Sequence, residues 1–213
     1  MAPLNRARRG WMTLGLSAVL AVSGGSMLAA CDGQAPGANR PAFKSIDITG
    51  AEYARSLSLV DPDGKTRTLA DFKGKVMVVF FGYTQCPDVC PTTMAELAEV
   101  KRSLGADGSR VVGIFVTVDP ERDTAELLKG YVANFGPDIV GLRGTPEQIK
   151  DTAREFKVFF SKVPGKTDTS YTMGHTAGSY VFDAKGRVRL FTRYGSGAQA
   201  LADDLKLLLA ETS

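Results

Sequence analysis

Two unbroken apolar runs constrain this chain more than anything else in it. Residues 76–81 read VMVVFF and residues 111–118 read VVGIFVTV. Neither run alternates with charged residues, as a strand with one wet face would. Both have the make-up of strands buried on two faces, which occur where helices cover both sides of a largely parallel sheet. Between them Met94, Leu97, Val100 and Leu104 recur at three or four positions, the spacing of one helix face. Strand, helix, strand in that order is a parallel crossover unit.

The flanking pattern completes a plan. Residues 56–60 and 66–69 flank Pro62-Asp63-Gly64, and residues 179–182 and 188–191 flank Asp183-Ala184-Lys185-Gly186; both pairs read as hairpins. Asp123 to Glu126 and Thr145 to Gln148 each carry a capping-box pattern at a helix start, the second with Pro146 at the first helical position. Residues 198–209 read as a closing amphipathic helix. A hairpin, a βαβ unit, an inserted α(β)α stretch and a ββα finish make the thioredoxin-like plan. The expected fold is therefore α/β: a central mixed sheet flanked by helices, with an N-terminal β-hairpin and a small insertion.

In open α/β sheets the chemistry gathers at the carboxyl ends of strands. Just past the first apolar run comes GYTQCPDVCP, residues 82–91. A helix beginning near Cys90-Pro91 would set Cys90 at its N-terminus, where the dipole and free N–H groups favour a thiolate. Four-residue spacing on such a turn brings two sulfurs to one point. Disulfide formation by Cys86 and Cys90 fits that arrangement, and so does chelation of a soft metal.

His175 is the single histidine. It lies in SYTMGHTAGSY, in what reads as a loop before the strand at 179–182. In thioredoxin-like folds that loop faces the cysteine loop and usually carries a proline, yet this chain has no proline after Pro164. Two thiols and one imidazole are too few for a closed structural zinc site, which takes four ligands. They suit Cu(I), which prefers thiolate and accepts low coordination. Met173 offers a thioether nearby, and Tyr83 and Tyr171 are expected to wall the site.

FGYTQCPDVCP, the later VTVDPERDT and the downstream His175 together resemble the Sco/SenC family of thioredoxin-like proteins over about residues 45–210. The resemblance implies copper, as Cu(I), Cu(II) or both, held by Cys86, Cys90 and His175. It also implies a role in assembling the dinuclear copper centre of cytochrome c oxidase. The oxidase's copper-bearing subunit would then be the partner, with another copper donor or a thiol–disulfide protein as a second. One position departs: the family usually has an acid before the histidine, and here it is Gly174. Asp119-Pro-Glu-Arg-Asp123 belongs to the resemblance, although a strand exit and a helix cap explain most of it.

The first 30 residues hold Arg6, Arg8 and Arg9 and no acid, followed by an apolar stretch diluted by serine and glycine. That is the build of a secretory signal. Leu28-Ala29-Ala30-Cys31 resembles the bacterial lipobox, which implies lipidation at Cys31. Without the leader, 23 basic residues face 23 acids, so no nucleic-acid surface is expected. The expected organisation is a signal at 1–30, a lipid-anchored Gly/Pro-rich tether at 31–44 and a copper-binding domain at 45–213. The expected location is the outer, periplasmic face of the cytoplasmic membrane. The same two thiols would also serve a thiol–disulfide reductase acting on an oxidase subunit or another partner, or a redox or copper sensor. Their four-residue spacing, the missing proline and His175 favour metal.

Overall fold

In the computed structural model, residues 42–167 and 170–211 are described. The signal, Cys31 and most of the tether lie outside them. In chain order the elements are β1 (Ile46–Asp47), β2 (Ser58–Val60), β3 (Thr66–Thr68), β4 (Val76–Gly82), α1 (Val89–Ser103), β5 (Val111–Thr117), α2 (Ala125–Ala133), β6 (Ile139–Leu142), α3 (Pro146–Glu155), β7 (Phe160–Pro164), β8 (Tyr171–His175), β9 (Gly178–Phe182), β10 (Val188–Arg193) and α4 (Ala198–Ala210). Six strands form one mixed sheet in the order β1-β10-β9-β4-β5-β6. β4 runs parallel to β5 and β5 to β6, while β9 lies antiparallel to β4. This is the thioredoxin-like architecture, with short ribbons β2–β3 and β7–β8 outside the main sheet.

The two apolar runs became the central strands for the expected reason. All seven residues of β4 and all seven of β5 are buried. Each large apolar side chain withdrawn from water contributes about 1.5–3 kcal/mol. Phe80, Phe81, Met77 and Ile114 are covered completely or nearly so, which makes this pair of strands the centre of the core. The cysteine loop leaves the C-terminal end of β4 and so starts from this core.

Three elements differ from the sequence expectation, each with a physical cause. α1 starts at Val89, one residue before the expected start near Cys90-Pro91. Pro91 falls in its first turn, where the missing N–H has no helical partner in any case. α2 is capped by Thr124, whose hydroxyl accepts from the Leu127 N–H, so the expected capping box from Asp123 does not form. Asp123 is instead wholly buried. The largest difference is the ribbon β7–β8: His175 stands on a strand, paired with Phe160, and not on a loop. Its strands carry Ser161, Lys162, Pro164 and Thr172 and leave β7 mostly exposed. They therefore lack the apolar alternation that identifies a half-buried strand.

Candidate metal centre

The four-residue cysteine spacing has a local explanation. The chain turns at Tyr83, with the Cys86 N–H donating to its carbonyl at 3.2 Å, and then enters α1. Cys90 is the second residue of that helix, so its N–H is one of the four without a helical partner. The Cys86 sulfur accepts that N–H at 3.4 Å. Asp88, at the cap position, makes no side-chain cap bond, so the first cysteine serves as the helix cap and is thereby placed over the second. Both thiols are free; Cys86 is partly exposed and Cys90 buried.

Gly82 makes room for the buried sulfur. A β-carbon there would lie 2.9 Å from Cys90 Sγ and 2.8 Å from the Phe80 ring. The last residue of β4 therefore has no side chain because Cys90 packs against its backbone.

His175 closes the cluster from β8. Its Nε2 lies 3.6 Å from Cys90 Sγ, and its Nδ1 lies 3.1 Å from the Thr176 carbonyl. A carbonyl oxygen only accepts, so Nδ1 carries the proton and the Nε2 lone pair faces the thiols. Phe80 and Tyr83 meet the imidazole edge-on, with ring centroids 5.9 and 6.0 Å away. Burial holds the His175 pKa below its usual value, with the Thr176 carbonyl opposing, which keeps the ring neutral and competent to donate its lone pair.

Gly174 can now be placed. It pairs with Ser161, and a β-carbon on it would meet Val163 at 3.5 Å and the Ser161 hydroxyl at 3.8 Å, all ordinary contacts. An acid at 174 would thus begin on the opposite face of the ribbon from the imidazole. Thr176 already supplies the second-nitrogen acceptor that orients a histidine ligand.

Burial also overturns one electrostatic expectation. The helix start was expected to favour a Cys90 thiolate, yet burial pushes this thiol up, with the Cys86 sulfur and the Asp123 carboxylate adding to the rise. A helix terminus contributes about 0.3–1 kcal/mol, less than one pKa unit's 1.36 kcal/mol. Full burial shifts a thiol by up to 3–5 units. Desolvation wins, and Cys90 must lose a proton before it can bind a metal.

The ligand atoms of Cys86, Cys90 and His175 all lie within 4.8 Å of one another. Bonds of about 2.0–2.3 Å, as zinc makes to imidazole and thiolate, allow two donors on one ion to stand up to about 4.6 Å apart. The cluster is within a few tenths of an ångström of closing on a single ion. Its donor set, two sulfurs and one nitrogen without a carboxylate, matches the soft-metal preference of Cu(I).

Of the other expected residues, Tyr83 is buried beside the imidazole, and Met173 is buried two positions before His175 on the same strand. Tyr171 lies farther along β8, where its hydroxyl donates to Asp119 at 2.9 Å. Sequence reasoning underrated residues 119–123. The Asp123 carboxylate accepts from the Thr84 N–H at 3.0 Å, the Thr84 hydroxyl at 2.6 Å and the Thr117 hydroxyl at 2.6 Å. Arg122 reaches across to Tyr171. The available signal was three acids and an arginine crowded just past a strand that is apolar except for Thr117.

The SCO1/SenC sequence model matches residues 47–210. The mitochondrial Protein SCO2 homolog of Bos taurus is 39% identical over 145 residues, which cover 67% of this chain and 53% of that protein. An SCO2-like protein of Rickettsia conorii is 37% identical over 130 residues, covering 61% of this chain and 63% of its own length. The chain thus spans between about half and under two thirds of these curated relatives. Among solved structures, Bradyrhizobium japonicum ScoI with copper bound superposes with a TM-score of 0.65 at 43% identity, over 71% of this chain and 96% of that one. Arabidopsis thaliana ScoI with copper bound gives a TM-score of 0.67 at 34% identity, over 74% and 98%.

Proposed function

The chain belongs to the SCO1/SenC family, and from that premise we propose that it is a copper metallochaperone holding one ion through Cys86, Cys90 and His175. The observation that carries this reading is the convergence of those three ligand atoms within 4.8 Å. Relatives at 43% and 34% identity were solved with copper bound, which supports copper as the cargo.

The chain's own groups suit transfer. Cys86 and the neutral His175 are both partly exposed and meet an incoming ion or partner first; Cys90 is buried behind them. Thiolate and imidazole supply soft, low-coordinate ligation when copper is bound. Too few ligands to close the site leave the ion open to a competing donor. At the rim Phe159 is 70% exposed, and its backbone bonds Thr176 beside the histidine. It offers an apolar contact to a receiving protein. The client we assign is the copper-bearing subunit of cytochrome c oxidase, with assembly of its dinuclear centre as the task.

No helix among the described residues is long and apolar enough to cross a membrane. We assign attachment to a diacylglyceryl group on Cys31 after removal of residues 1–30, with residues 31–44 as the tether and the domain at 45–213 on the outer face of the cytoplasmic membrane.

Free thiols of unequal exposure also suit a thiol–disulfide reductase, the second reading. A cell lacking the protein decides between them. Under copper delivery, oxidase activity falls, copper in the medium restores it in part, and His175→Ala behaves as the deletion under copper limitation. Rescue by thiol reductant alone, with a normal His175→Ala strain, would establish the reductase instead.

A further inference from the structure

The two halves of the site share a single brace. Asp123 grips the cysteine loop from below: it takes both the N–H and the hydroxyl of Thr84, two residues before Cys86. Thr117 locks this carboxylate in place, donating its own hydroxyl to Asp123 and accepting the Asp119 N–H at 3.0 Å. One residue earlier in the chain, Arg122 grips β8. Its Nη1 donates to the Tyr171 carbonyl at 2.9 Å, its guanidinium lies 3.7 Å from the centroid of the Tyr171 ring, and its Nε pairs with Asp119. Asp119 in turn accepts the Tyr171 hydroxyl at 2.9 Å. On its cysteine side the same guanidinium stands 5.7 Å from the Tyr83 ring, which meets the His175 imidazole edge-on.

We propose that Arg122 is a positioning residue for His175: by pinning Tyr171 to the 119–123 turn, which Asp123 ties to the cysteine loop, it sets the distance between imidazole and thiols. The inference rests on the copper reading above for its meaning, though not for its geometry. The ribbon β7–β8 pairs with no strand of the main sheet, so beyond the short link from His175 to β9 and the burial of Met173 its position depends on side-chain ties. The remaining ion pair to this turn, Lys162 with Glu121, is about half exposed at both ends and is of the kind that contributes little. A planar guanidinium both stacks and donates, and an ammonium does not reproduce that.

The test uses Arg122→Gln, Arg122→Lys and Tyr171→Phe, each alone and combined with His175→Ala. Cu(I) is titrated anaerobically against a competing chromophore. In the reduced, copper-free protein, proton NOEs from the His175 ring to Phe80 and Tyr83 are measured. Arg122→Gln should weaken Cu(I) binding about 10-fold, the scale of lost ligand-orienting contacts, and Arg122→Lys by nearly as much. In the His175→Ala background the same substitutions should change affinity by less than about twofold, because the histidine they position is gone. The ring NOEs should fade in both Arg122 variants while Tyr171→Phe, which keeps the stacking ring, loses less. An equal factor in both backgrounds, or intact ring NOEs, would overturn the proposal. If Arg122→Gln does not fold, Arg122→Lys and Tyr171→Phe carry the same comparison. If the wild-type protein takes up no Cu(I), the copper reading falls, and the NOEs alone decide the brace.

Discussion

The thiols and the imidazole reach one point by different means. The cysteine loop leaves the end of β4, a strand buried along its whole length, and its geometry follows from packing. Gly82 admits the Cys90 sulfur, and the Cys86 sulfur caps α1. The histidine stands on a two-stranded ribbon outside the main sheet, whose Tyr171 is tied to the 119–123 turn by Arg122 and Asp119. The thiol half is rigid because the core is rigid. The imidazole half is only as rigid as its ties, which suits a site that must take up an ion and then release it.

His175→Ala attacks the tied half, and it should produce the largest effect. Copper affinity should drop about 10–100-fold, using losses of ligand-orienting groups as the scale, while the thermal transition and the Cys86–Cys90 spacing persist. Cu(I) competition and a melting curve check both parts. A melt as damaged as the affinity would erase the distinction between the halves.

Amide exchange compares the halves directly. Amides of β4 and β5 should exchange only on global unfolding, and those of β7–β8 through local opening, at least about 30-fold faster. Cu(I) should slow the ribbon selectively. Equal protection in both places, without copper, would break the comparison.

Gly82→Ala attacks the core-built half. The added methyl would sit 2.8 Å from Phe80 and 2.9 Å from the Cys90 sulfur. Overpacking of that sort costs about 1–3 kcal/mol, to be read from denaturant midpoints, and Cu(I) affinity should fall with it because Cys90 is displaced. Gly174→Asp should do least. Its side chain starts toward Ser161 and Val163, and Thr176 already orients the imidazole. Copper affinity within about threefold of wild type is the expected outcome. A large gain would mean that an acid at 174 reaches the imidazole after all.

The same contrast explains what could be read from the sequence. The central strands and the order of helices were legible because burial on two faces leaves a run such as VMVVFF with no polar interruption. The cysteine pair was legible because its position follows from the end of that run. The ribbon was not, since strands paired only to each other and largely wet need no apolar period. His175 was therefore correctly paired with the thiols but wrongly placed on a loop. The thiolate expectation for Cys90 failed because a helix start is visible in a sequence, whereas the depth at which a sulfur is buried is not. Asp123 was read as part of a cap, the commonest work of an acid there. Its three hydrogen bonds come from residues on β5 and on the cysteine loop, contacts that local spacing does not reveal.

The central claim is that both halves hold one metal ion. X-ray absorption at the copper edge, on reduced protein loaded anaerobically with Cu(I), tests it most directly. One copper per chain should be found, with two sulfur neighbours and one nitrogen, the nitrogen disappearing in His175→Ala and both sulfurs when Cys86 and Cys90 are changed to serine. Absence of copper uptake, or a wild-type first shell without sulfur, would contradict the account.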